Sequence, residues 1–139
     1  MNKRFWMAFV ACFVASQAIG FLVHGVWLNA TYESLAAIFR PKEQMDAIMW
    51  QMLVASAIAI FAFCYIFTKG YEAKGAMEGV RYGVLVALLV AIPGAMMEHW
   101  VYPVPAALAM KWAAADAVHW VVLGVVMALI YRPDMAKPA

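Results

Sequence analysis

The amino-acid sequence predicts an all-α fold, an integral membrane bundle of four helices running up-down-up-down. Three observations carry this expectation. Hydrophobic residues make up 68% of the 139 and charged residues only 13%, about half the charge of an ordinary soluble domain. The mean hydropathy is +0.80. The apolar residues also gather into four stretches, at 5–28, 46–68, 80–102 and 106–131, each long enough for the roughly 20-residue helix that crosses a bilayer. With their short connections these spans use nearly the whole chain. Residues 1–139 therefore read as a single four-span transmembrane domain without a separate soluble one.

The first span follows Lys3 and Arg4. Ser16-Gln17-Ala18 imitates a signal-peptide cleavage site, but hydrophobicity continues from Ile19 through Leu28, which favours an uncleaved signal anchor. In the following loop, Tyr32 to Phe39 is amphipathic enough for a short interfacial helix within 30–40, stopped before Pro41. After the second span, the 69–79 loop mixes charge with glycine and reads as a solvated connector. It lacks the GxxxxGK[ST] phosphate-binding pattern. Pro93-Gly94 interrupts the third span and frees a carbonyl about one turn earlier. Pro103-Val104-Pro105 makes a tight turn, and short links make neighbouring helices antiparallel.

Lys and Arg set the orientation. Lys3, Arg4, Lys69, Lys74, Arg81, Arg132 and Lys137 fall on one side, against Arg40, Lys42 and Lys111 on the other. This puts both termini in the cytoplasm. Trp27, Tyr32, Trp50, Trp100 and Tyr102 mark the outer interface, while Trp6, Tyr65, Tyr71, Tyr82 and Tyr131 mark the inner one.

Chemistry concentrates in the fourth span, where Trp112, Asp116, His119 and Leu123 recur at helical spacing along one stripe. An ionisable group at membrane depth is costly and usually has a partner. Ser16, Gln17 and Ser56 fall at similar depth, so Gln17, Ser56, Asp116 and His119 form a candidate midplane polar layer. It is either a proton relay or small-ligand site, or a hydrogen-bonded layer that fixes helix register. The alanines of the same span offer a smooth face for another helix.

A second group, His24, Glu98 and His99, lies nearer the outer surface, with Lys111 in reach of Glu98. Two histidines on different helices can hold haem or a metal. Thioethers from Met45, Met49 and Met52, on one helical face, with Met96, Met97 and Met110 would favour copper. The opposing readings are a solvated histidine pair and methionines that fill packing gaps. Cys12 and Cys64 match no zinc or CxxC spacing and read as small buried hydrophobes rather than a disulfide. No HExxH, ExxH or GxSxG motif occurs, and no basic-aromatic run points to nucleic acid.

Several phrases resemble a group of small, uncharacterised bacterial four-span membrane proteins: His24-Gly25, Tyr32-Glu33-Ser34-Leu35, Phe39-Arg40, Gly79-Val80-Arg81-Tyr82-Gly83 and Pro103-Val104-Pro105. The resemblance implies a bacterial inner-membrane location and a four-helix fold. It brings no activity, cofactor or role for Asp116 and His119.

The expectation for function is a non-enzymatic structural or complex subunit. It would sit in the lipid bilayer as a homo-oligomer or beside a partner membrane subunit. Two alternatives stand beside it. One is a small transporter or proton-coupled carrier built on Asp116 and His119, and the other is a haem- or copper-binding redox protein using His24 and His99.

Overall fold

The computed structural model describes residues 2–132; Lys137, counted above on the cytoplasmic side, lies outside them. Every regular element among the described residues is helical. Among the described residues four helices are long and apolar enough to cross a membrane: Lys3–Trp27, Met49–Lys69, Ala76–Val101 and Ala106–Ile130.

The first of these begins as α1, Lys3–Gly20, where the Asn2 side chain accepts the Phe5 N–H and satisfies one of the free donors of the first turn. It continues through a wide π-type stretch, Phe21–Trp27. Helix α2, Asn29–Ser34, follows directly. It starts and stops earlier than the 30–40 expectation. Asn29 bonds Glu33 one turn on, at 2.8 Å, and steadies the start, whereas Leu35 leaves helical geometry. Two further helices, α3 (Lys42–Ala47) and α4 (Met49–Lys69), are separated by a break at Ile48.

The third long helix joins α5 (Ala76–Val86), a π-type stretch (Ala87–Ala91) and α6 (Ile92–Val101). Pro93 has no N–H to return to the carbonyl four residues back. The chain widens just before it, and the Ile92 N–H reaches back to Ala87. The interruption is absorbed as a wide turn and the helix continues. The fourth is α7, Ala106–Ile130.

Side-chain contacts give the directions of the helices. Arg4 donates to the Arg132 carbonyl, Cys12 lies against Leu123 and Ser16 against His119. Residue numbers fall on α7 as they rise on α1, so the two are antiparallel. Gln17 opposite Ser56 and Phe9 opposite Phe61 give the same relation for α1 and α4.

Helices α5 and α7 are also antiparallel, and they touch backbone to backbone. A Cβ built on Gly79 would stand 2.2 Å from the Gly124 carbonyl oxygen, and one on Gly83 2.5 Å from that of Trp120. Gly79 and Gly83 open a row continued by Ala87, Ala91 and Ala95, one small residue every four, all of them buried. A four-residue repeat drifts around a helix that turns every 3.6 residues. The wide turn at Ala87–Ala91 takes up part of that drift.

Two cores result. At the end carrying residues 4 and 132, aromatic and aliphatic side chains of α1, α4 and α7 pack densely around Phe5, Ile60, Phe63, Phe67, Leu123 and Met127. At the opposite end Leu28, Val104 and Leu108 are covered by Tyr32, Leu35, Ile38 and Phe39, so the 29–40 segment folds over α7. By contrast, every residue from Met49 to Ala55 is exposed. A packed helix hides at least one face every turn. This first third of α4 therefore stands clear of the other long helices.

Candidate functional site

The fourth long helix supplies the backbone of the site. On α7, Trp112, Asp116 and His119 lie along one stripe, one turn apart. At the upper level the Trp112 indole N–H donates to the Tyr32 hydroxyl at 2.8 Å, and that hydroxyl lies 2.6 Å from His24 Nδ1. Tyr32 comes from α2, which is why folding of the 29–40 segment over α7 matters. Burial pushes the Tyr32 phenol above its ordinary pKa, and the charges of Asp116 and Glu98 add to this, against the lowering effect of the Trp112 hydrogen bond. Tyr32 is therefore a neutral hydroxyl at physiological pH.

The lower level holds two separate hydrogen bonds. His119 Nε2 lies 3.1 Å from Ser16 Oγ, with its ring stacked on Trp120. The Gln17 amide N–H donates to Ser56 Oγ at 2.9 Å. Neighbouring residues of α1 thus reach different helices, Ser16 to α7 and Gln17 to α4.

Asp116 lies between the two levels, within electrostatic reach of His119 and His24. Its side chain is only partly covered, and among the described residues it accepts no hydrogen bond. Of the four sequence-derived layer residues, Gln17 and Ser56 bond each other, His119 bonds Ser16 instead, and Asp116 keeps an open carboxyl. Pro93 and Gly94 are exposed, and the hydrogen bonds of the layer run between other residues.

The outer group is arranged differently from the expectation. His24 belongs with Tyr32. His99 Nδ1 lies 2.9 Å from the Val104 carbonyl and, since a carbonyl only accepts, donates to it across the turn into α7. Glu98 is exposed, and Lys111 lies over the Trp27 ring at 6.0 Å. Met45, Met49 and Met52 are exposed at the free-standing start of α4. Among the described residues no three His, Cys, Asp or Glu side chains gather in a way that could hold a metal ion. Cys12 and Cys64 are buried free thiols, and the Cys12 thiol lies 3.6 Å from the Leu123 carbonyl.

One functional-looking group escaped sequence reasoning. Glu78 is 5% exposed. Its two oxygens accept the backbone N–H groups of Glu72, at 2.6 Å, and Lys74, at 2.8 Å. This ties the 70–75 loop onto the start of α5. The sequence carried little signal for it, since the N-cap is Gly75, which has no side chain to complete a capping box, and Glu78 bonds the N–H groups of Glu72 and Lys74 rather than that of Gly75. The tie also explains why the third long helix opens at Ala76 rather than at 80.

The chain matches no protein-family model, no curated protein and no solved structure.

Proposed function

We propose that the protein is a multi-pass subunit of a bacterial inner membrane, an up-down-up-down four-helix bundle with both termini cytoplasmic, that acts by assembly rather than by catalysis. Its neighbour is a second copy or a partner membrane protein. The observation that carries this reading is the Asp116 carboxyl. It sits near the middle of α7 with no hydrogen-bond donor among the described residues. A carboxyl at that depth is stable only when it meets a donor or water, and a facing helix can provide the donor. The exposed first third of α4 leaves room for such a helix. Meanwhile Gln17 with Ser56 and Ser16 with His119 serve as register contacts within the chain.

The test is the assembly state of the wild type against Asp116→Asn and His119→Ala in lipid particles. The proposal expects the first substitution to shift assembly and the second mainly to lower stability.

A second reading, a proton-coupled carrier, draws support from the one-sided distribution of polar groups. His24, Tyr32, Asp116 and His119 lie toward the more open half, and the aromatic core fills the other. Proteoliposome flux that depends on Asp116 would favour it.

A further inference from the structure

At the end of the molecule that carries residues 4 and 132, a groove of about 580 Å³ runs between α4 and α5. Ile66 and Leu85 form its apolar walls and are 58% and 64% exposed. Lys69 and Arg81 stand above them, each about one turn nearer the helix end. The two helices run in opposite directions, yet both place a cation outermost and an aliphatic side chain deeper. That is the order of polarity of a phospholipid in a leaflet, with phosphate above acyl chain.

The cations are poised rather than fully used. Lys69 Nζ rests 4.6 Å above the Tyr65 ring, a contact that leaves its N–H donors free to turn. Arg81 spends one guanidinium nitrogen on Glu72, at 2.8 Å, leaving further donors in its planar fork. The Glu72 carboxylate is shared with Lys74 at 2.7 Å, so its charge at the rim is offset. Glu78 is turned into the 70–75 loop, where it holds two backbone N–H groups.

We infer that this groove binds one anionic phospholipid, its phosphate between Lys69 and Arg81 and an acyl chain along Ile66 and Leu85. Basic pockets between membrane helices at the cytoplasmic face are suited to such headgroups. A zwitterionic lipid offers the same phosphate but brings its own cation to the site, so the groove discriminates by net charge. The inference rests on the membrane-spanning reading of the four helices.

The test is native mass spectrometry of the full chain in neutral detergent, titrated with phosphatidylglycerol or phosphatidylcholine. One phosphatidylglycerol should be retained in preference to phosphatidylcholine. Lys69→Ala and Arg81→Gln should each weaken retention about fivefold, the value of roughly one surface cation. Glu72→Gln should strengthen it by releasing Arg81. Leu85→Trp, which fills the apolar wall without touching either cation, should also weaken retention while the unfolding temperature stays near that of the wild type. Equal retention of the two lipids would overturn the proposal, as would unchanged binding in K69A and R81Q. Displacement by millimolar inorganic phosphate would overturn it too, since the site would then hold a free ion. A chain absent from the membrane fraction would instead mark failure of the membrane reading.

Discussion

Gly124 and Gly79 meet so closely that a methyl group on either has nowhere to go: a Cβ on Gly124 would lie 2.1 Å from the Gly79 carbonyl oxygen. Because the obstacle is backbone, no side-chain rotation relieves it. Small residues allow this approach, and between membrane helices it supplies dispersion contact where the hydrophobic effect gives little. Gly124→Ala or Gly79→Ala should therefore destabilise the fold by about 1–3 kcal/mol, the usual cost of overpacking. Gly20→Ala and Gly94→Ala, where no atom lies within 4 Å of the added Cβ, should leave stability unchanged or slightly raised. Thermal unfolding of the four variants in one detergent checks the contrast.

The polar layer should behave as two independent pairs. A double-mutant cycle on Gln17 and Ser56 should return a coupling of about 0.6 kcal/mol, typical of hydrogen bonds between membrane helices. The cycle on Ser16 and His119 should give a similar value. Ser56→Ala combined with His119→Ala should be additive within about 0.5 kcal/mol, since the two residues share no partner. Coupling between them comparable to that within each pair would show one continuous network instead.

Glu78 should matter more than its place in a polar loop suggests. Glu78→Ala leaves two backbone N–H groups without their acceptor and should cost about 1–3 kcal/mol. Hydrogen exchange at the Glu72 and Lys74 amides should accelerate in this variant while amides in the α5–α7 contact change little. Equal acceleration across the chain would mean that Glu78 stabilises the whole fold rather than the loop.

The rim of the groove should loosen in acid. The Lys74 ammonium first, and the Arg81 guanidinium second, hold the Glu72 carboxyl below the usual glutamate range. A carboxyl with a depressed folded-state pKa stabilises above its unfolded value, and the benefit disappears as pH falls through the folded one. A spin label at Ala73 should thus stay ordered at neutral pH and become mobile on acidification. The pH dependence should be much reduced in Glu72→Gln.

The four long helices were readable from the chain because their signal is compositional, long runs of apolar residues with few charges. Their ends and their partners were less readable. The third helix starts early because Glu78 reaches back to the loop, a side-chain-to-backbone bond that hydropathy does not register. The row from Gly79 to Ala95 lies in plain view, but its weight depends on what faces it, and Gly124 is 45 residues away. Ser16, Gln17, Ser56 and His119 fell at similar depth in the sequence, and depth was enough to group them. It could not say which would bond, since that depends on helix rotation. His24 was grouped by depth with His99, whereas the fold of residues 29–40 brings Tyr32 to it.

The most direct test is the mass of the natively extracted particle, measured in lipid nanodiscs for the wild type and for Asp116→Asn. If Asp116 meets a donor from a neighbour, the wild type should appear as an assembly heavier than one 15.4 kDa chain, and D116N should shift toward the single chain. A single-chain particle in both proteins would contradict the assembly account. The contradiction would be sharpest if reconstituted wild type carried a pH-driven flux that D116N had lost.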